Sequence, residues 1–368
     1  MAPAPLPEPL EDVRAAVDDA TRTGFESAIE QLDGLADRLD DLASPGRALL
    51  AGGKRSRALL AYAGHRAAGG ARDVAAPDPI VQAGAALELF QLAALVHDDV
   101  MDDADVRRGR PAAHVAIRAT HRAQGLDGDP ESFGVAGAIL LGDLLLAASS
   151  KVMDGARASV ATDAGAAARH VYDHMCAEVA AGQYLDVRAA ATPLRTDPDG
   201  ALDRSLTVLR HKSARYSVEH PLVVGASLAG AGSETVAGLR AVGEPLGEAF
   251  QLRDDELGVF GDPLVTGKPA GDDLREGKRT ALLALTWSAA GPTDQAVLEE
   301  LVGDPALDAA GVDRLREIIT ATGARDAHER LIDERERATR AALGRLQLDD
   351  EPRRLLDALA DALVTRAA

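Results

Sequence analysis

The feature that most constrains the fold is the run from Val81 to Asp103. It is apolar, rich in Ala and Leu, free of Pro, and ends in Asp98, Asp99, Asp102 and Asp103, four carboxylates within six residues. The upstream part predicts a long buried helix. Carboxylates crowded at the end of such a helix repel one another unless a cation lies between them. On a helix, Asp98 and Asp102 stand one turn apart on one face, so both can reach the same metal cluster. Sparse oxygen ligands with room left for water and phosphate suit Mg²⁺. Arg107 and Arg108 follow, and a guanidinium is the preferred fork for phosphate oxygens. Taken alone, the stretch also fits a solvated acidic helix end before a basic turn.

A second stretch shifts the balance. Gln251-Leu252-Arg253-Asp254-Asp255-Glu256-Leu257-Gly258 again places paired Asp after an apolar helical run, and a Gly/Pro/charged segment with Lys268, Lys278 and Arg279 follows. Near the N-terminus, Gly52-Gly53-Lys54-Arg55-Ser56-Arg57 leads into Ala58-Leu59-Leu60-Ala61-Tyr62-Ala63. A glycine pair entering a buried helix offers free backbone N–H groups to an anion. Two acidic helix ends and a separate cationic turn together suggest a magnesium–diphosphate clamp with a second anion pocket.

Composition narrows the class. Only 3% of the residues are aromatic against 46% hydrophobic, so the core is built from Ala, Leu and Val. Strand-like alternation is nearly absent, which predicts an all-α fold, a single-domain bundle of many helices. A net charge of −19 argues against nucleic acid as a partner. Anionic substrates must then bind local cationic pockets and metal. The single cysteine, Cys176, excludes an internal disulfide and fits a reducing, cytoplasmic setting. No uninterrupted run of about 18 apolar residues is visible, so no membrane span is expected.

At these motifs the chain resembles the trans-isoprenyl diphosphate synthases, or polyprenyl synthetases. Asp98-Asp99-Val100-Met101-Asp102 matches the first aspartate-rich motif, DDxxD, and Asp254-Asp255 the second, although Gly258 stands where its final Asp is usual. Gly52 to Arg57 matches GGKRxR, with Ala58 in place of a common Pro. His211-Lys212-Ser213-Ala214-Arg215-Tyr216 resembles the KTAxY element, with Ser213 where Thr is commoner, and Lys268 to Lys278 resembles the GKxxxD…K loop. The resemblance runs from about Asp40 to the C-terminus, with the motifs in the family's order.

The resemblance implies that the helical bundle surrounds a central active-site cavity, and it implies head-to-tail condensation of isopentenyl diphosphate with an allylic diphosphate. Mg²⁺, as a three-ion cluster with diphosphate, is held by Asp98, Asp102 and Asp254, with Asp99 and Asp255 completing the two motifs. Arg107, Lys212 and Lys268 add positive charge at the leaving diphosphate. Lys54, Arg57 and Arg108 hold isopentenyl diphosphate, with Arg55 and Gln91 as further contacts; Ser213 and Gln251 steady the allylic cation, and Lys278 is a further substrate-binding residue. Gln183 and Asp186 lie behind the metal ligands, three apart on one helix face. The residues four and five before the first Asp gauge product length. Here they are Ala94 and Ala93, with Leu87 deeper, and the absence of bulky aromatics implies geranylgeranyl diphosphate (C20), with longer polyprenyl or farnesyl products as alternatives. A homodimer is the family habit. A terpene cyclase would share the helical fold without needing the GGKR pocket, and a non-catalytic partner subunit would have lost a motif that this chain keeps.

Along the chain, residues 1–10 read as a disordered, Pro-rich lead and residues 11–368 as one domain. Val13 to about Leu42 reads as one amphipathic helix with a possible break at Gly24 or Gly34, and Ser44-Pro45-Gly46 as a breaker. Helices are expected near 135–150, 157–190 and 241–258, and through Thr280–Ala368 with breaks at Gly291-Pro292, Pro305, Gly323 and Glu351-Pro352. Pro263 to Arg279 reads as a loop able to close over diphosphate. His97 reads as a packed or supporting histidine.

Overall fold

The computed structural model describes residues 9–261 and 271–364. Their regular structure is helical apart from one two-stranded hairpin, so the all-α expectation holds. They divide into two compact units: residues 9–170 with 221–232, and residues 171–220 with 233–261 and 271–364.

The first unit is built on α4 (Pro79–Met101), which packs along α6 (Pro130–Ala158), α1 (Leu10–Glu30) and α3 (Ser56–Ala67). Its core gathers Phe25, Ile29, Leu89, Leu92, Ala93, Val96, Leu141 and Leu145, all fully or nearly buried. α4 begins with Pro79 at its first position, where a missing N–H costs nothing. It ends at Asp102 because Asp103 takes a left-handed conformation (φ 52°). α5 (Ala113–Gln124) completes this part, and the side chain of Asp129 caps α6 by accepting from the N–H groups of Glu131 and Ser132.

Two local expectations change here. Residues 1–8 of the expected disordered lead lie outside the described residues, but Leu10 is completely buried as the first residue of α1. The Val13–Leu42 helix divides at Gly34 (φ 76°), and Ser44-Pro45-Gly46 does not break the chain but runs inside α2 (Asp40–Leu50). Packing overrides the proline: a Cβ on Gly46 would lie 2.7 Å from Phe25 Cζ, so α2 seats directly on that ring.

The second unit is organised on α10 (Ser233–Phe260). Against it pack α15 (Ala324–Arg345) and the segment Arg210–Glu219, which continues α8 (Ala201–Leu209) into α9 (His220–Leu228). That segment is wound as a π-helix, with the N–H of His220 donating to the carbonyl of Arg215. From Val171 on, α7 (Thr162–Ala190) also belongs to this unit. After the short turn α11 (Asp272–Arg275) come α12 (Ala281–Ala289), α13 (Pro292–Leu301) and α14 (Ala309–Ala321), then α15 and α16 (Asp350–Val364). The breaks fall at Gly291-Pro292, around Pro305 and at Gly323 as expected, while Pro352 lies within the first turn of α16. Leu282, Leu283, Trp287, Leu298, Leu315 and Ile318 form this unit's second core.

Candidate active site

In the first unit the acidic end of α4 sorts its carboxylates by direction. Asp99 is fully buried, and its Oδ1 accepts from Arg107 Nε at 2.7 Å and from the same guanidinium's Nη2. Asp98 and Asp102, flanking it on the helix face one turn apart, remain half-exposed. The pair left facing outward is therefore an oxygen-only donor set at helical i,i+4 spacing, which fits a hard cation such as Mg²⁺. Asp99 instead anchors Arg107.

Arg107 lies on β1 (Val106–Arg107), which pairs antiparallel with β2 (Arg110–Pro111). Arg108 and Gly109 turn the hairpin with φ 54° and 71°, the two left-handed residues of a type I′ turn. This turn sends the two arginines to different tasks. Arg108 Nη1 donates to the carbonyls of Leu49 at 3.0 Å and Gly52 at 3.3 Å. It thus docks on the Gly-Gly turn that precedes α3. Arg108 as a whole is exposed, but loss of water around its docked guanidinium first, then Arg55, Arg107 and Arg57 close by, lower its pKa, and such crowding of cations marks an anion pocket.

Lys54 at this turn is exposed and Arg57 half-buried. Arg55, expected as a further contact for isopentenyl diphosphate, faces inward. It opens α3 with φ 52°, is 3% exposed, and donates to Asp18 Oδ1 at 2.5 Å and the Leu50 carbonyl at 2.6 Å, with Glu88 3.7 Å away. Its charge stiffens the turn from inside.

His97 is packed as expected, its Nε2 lying 3.1 Å from the Ile139 carbonyl and 3.7 Å from Asp143. Gly142 leaves the room: a Cβ there would lie 2.0 Å from His97 Nε2. Below the aspartates, Ala94 and Gln91 are half-exposed along the face of Asp98, whereas Leu87 is sealed at 0%. Ala93 differs from Ala94. It is also at 0% and belongs to the core, so of the two alanines only Ala94 borders open space.

In the second unit, Lys212 Nζ donates to Asp186 Oδ2 at 2.5 Å. Asp186 therefore positions a cation. Gly182 permits this, since its Cβ would meet the Lys212 backbone N at 2.5 Å and would push the π-segment off α7. Gln183 and Ser213 are half-exposed nearby in sequence.

On α10, Asp254 is exposed and Asp255 buried, with Gln251 Nε2 donating to Asp255 Oδ1 at 2.8 Å. Burial first, and then the charge of Asp273, push the Asp255 carboxyl well above the usual carboxylate range. Such a pile-up of carboxylates is one that a bound cation relieves.

Asp273 was missed from the sequence. It is buried, with Lys278 Nζ at 3.6 Å, and its carboxylate lies where a side chain at Gly258 would be. The signal was present: a missing acid at 258 and an Asp-Asp pair at 272–273. Lys278 also pairs with Glu276. Lys268 lies outside the described residues.

The polyprenyl synthetase family profile matches residues 40–319. A geranylfarnesyl diphosphate synthase of Aeropyrum pernix is 35% identical over 86% of this chain and 91% of its own length. A geranylgeranyl diphosphate synthase of Mycobacterium tuberculosis is 33% identical over 91% of this chain and 87% of its own. Among solved structures, the geranylgeranyl pyrophosphate synthase of Corynebacterium glutamicum, complexed with isoprenyl diphosphate and magnesium, superposes with a TM-score of 0.90 at 36% identity, covering 97% of this chain and 99% of that one. With its two aspartate helix ends and its glycine–arginine turn, the chain belongs to the polyprenyl synthetase family and is a prenyltransferase.

Proposed function

We propose that the protein condenses isopentenyl diphosphate head-to-tail with allylic diphosphates, in a Mg²⁺-dependent reaction ending at geranylgeranyl diphosphate. The observation that carries this reading is Arg108 docked on the Gly52-Gly53 turn beside Arg55 and Arg57, one hairpin away from Asp98 and Asp102. A cationic pocket next to a metal-ready acidic helix end serves two diphosphates, and elongation needs two where cyclisation needs one. The named relatives make geranylgeranyl and geranylfarnesyl diphosphate.

Asp98, Asp102 and Asp254 are the oxygen donors proposed for Mg²⁺, and a three-ion cluster with the substrate diphosphate is part of the proposal. When bound, the metal neutralises charge on the leaving diphosphate. Arg107, fixed by Asp99, and Lys212, fixed by Asp186, place positive charge where the allylic C–O bond breaks and negative charge grows. Lys54, Arg57 and Arg108 orient isopentenyl diphosphate so that its double bond attacks the allylic carbon. Lys268 and Lys278 add charge from the segment that follows α10. Gln251, its amide fixed by Asp255, steadies the developing cation with its dipole. Released diphosphate takes the proton lost from the new chain.

Product length follows from α4. The half-exposed lane Asp98, Ala94, Gln91 closes at Leu87, eleven residues or roughly 16 Å below Asp98 at 1.5 Å per residue. That depth favours a C20 chain.

The active form is proposed to be a cytoplasmic homodimer. Two helices, Pro79–Met101 and Pro130–Ala158, are long and apolar enough to cross a membrane, but the first is mostly buried. The second exposes Phe133, Ile139 and Leu140, an apolar face suited to a second copy. Incubation with isopentenyl diphosphate and farnesyl diphosphate tests the function: elongated diphosphates support it, and release of a cyclic hydrocarbon without elongation overturns it.

A further inference from the structure

Away from the aspartate helix ends, three histidines converge on one half-buried glutamate of the second unit. Glu178 on α7 divides its oxygens between two sets of partners. Oε1 lies 2.5 Å from His211 Nδ1 and accepts from Arg215 Nη1 at 3.1 Å. Oε2 faces His220 Nε2 at 2.5 Å and His174 Nε2 at 3.8 Å. One donor atom from each of His174, Glu178 and His220 lies within 4.8 Å of the other two.

The π-wound segment creates this convergence. His220 follows His211 by nine residues, about two and a half turns of an α-helix, which would put the two rings on opposite faces. With i→i+5 bonding the nine residues make about two turns, and His211, Arg215 and His220 share one face. His174 sits one α-helical turn before Glu178 and completes the set. His220 is 1% exposed and its Nδ1 has no hydrogen-bond partner, so the ring is held only through Nε2. His174 is exposed, and with His220 it lines an open cleft of about 350 Å³.

We propose that His174 Nε2, Glu178 Oε2 and His220 Nε2 form a binding site for a transition-metal ion of the Zn²⁺ class, with the fourth position open to the cleft. Two imidazoles and one carboxylate suit Zn²⁺ and not Mg²⁺, which takes oxygen donors. Ligand atoms around a tetrahedral Zn²⁺ stand roughly 3.3 Å apart. The observed separations of 2.5 and 3.8 Å bracket that value, so small side-chain rotations suffice. His211 and Arg215 on Oε1 hold the carboxylate from behind, as partners of metal-binding carboxylates do. Arg215 is itself balanced by Glu244 at 2.8 Å and Glu219 at 3.2 Å, which limits its repulsion of an incoming cation. The same π-segment carries Lys212, so an ion tying His220 to α7 also stiffens the backbone that presents this lysine. That consequence rests on the role given to Lys212 above; the binding site does not.

The test is titration of tag-free, substrate-free protein with Co²⁺. The expected result is one equivalent giving the intense visible absorption of four-coordinate Co²⁺, displaced by Zn²⁺ and not by Mg²⁺. His174→Ala, at an exposed position, should weaken Co²⁺ binding at least tenfold while leaving the melting temperature and Mg²⁺-dependent turnover unchanged. Asp98→Ala should leave the band intact. No such band, a band unaffected by His174→Ala, or a band lost in Asp98→Ala would each overturn the proposal.

Discussion

The carboxylate of Asp273 occupies the space of a side chain at Gly258: a Cβ on residue 258 would lie 2.1 Å from Asp273 Oδ2. The second aspartate motif is thus short of its usual last acid while an acid from fifteen residues later stands in its place. Asp273→Ala should lower kcat by about ten- to a hundredfold and raise the Mg²⁺ concentration needed for half-maximal rate. Gly258→Asp alone should also impair the enzyme, because two carboxylates cannot share that volume. The double variant Gly258→Asp/Asp273→Ala should recover part of the rate. Steady-state kinetics over a Mg²⁺ series check this; wild-type behaviour of Asp273→Ala would refute the substitution of one acid for the other.

Neighbouring aspartates on α4 should fail in opposite ways. Asp98→Ala removes a half-exposed carboxylate from a repelling cluster, so the fold should survive while turnover drops by two orders of magnitude or more. Asp99→Ala strips the buried partner of Arg107, and breaking such a pair costs about 3–5 kcal/mol. Thermal melts should show a clear drop for Asp99→Ala and none for Asp98→Ala. Equal melts for the two would contradict the inward and outward assignment.

Much of this was legible in the sequence because it depends on local chemistry. An Ala/Leu run without Pro gives α4, and four Asp at its end give the acidic terminus. The glycine pair gives the turn before α3. What was not legible depends on packing. Pro45 reads as a breaker, yet α2 continues because Gly46 lets it seat on Phe25. Arg55 reads like its neighbours Lys54 and Arg57, yet a left-handed backbone turns it toward Asp18 and Glu88. Ala93 and Ala94 are the same residue type, and only the rotation of α4 separates a core position from a lane position. The π-winding of Arg210–Glu219 leaves no trace in a 3.6-residue pattern.

The two proposed diphosphate pockets should be separable by kinetics. Arg57→Ala acts at the Gly-Gly turn where Arg108 docks. It should raise KM for isopentenyl diphosphate at least tenfold and KM for the allylic diphosphate little. Equal rises for both substrates would argue for a single shared pocket.

Product length should respond to Ala94 and not to Ala93. Ala94→Phe blocks the half-exposed lane and should shift the main product to farnesyl diphosphate. Ala93→Phe forces a ring into a filled core, at a cost of typically about 1–3 kcal/mol, and should lower the melting temperature without trimming the product. Chromatography of the dephosphorylated products distinguishes the outcomes.

The central claim, a two-substrate elongating synthase whose lane on α4 ends at Leu87, is tested most directly by one assay. Purified wild-type protein with Mg²⁺ and radiolabelled isopentenyl diphosphate is given dimethylallyl, geranyl and farnesyl diphosphate in turn, and the labelled products are resolved by chain length. The account predicts that all three primers converge on a C20 diphosphate, and that label incorporation vanishes when Mg²⁺ is chelated. A product that stops at C15, or the absence of any elongated product with every primer, would contradict it.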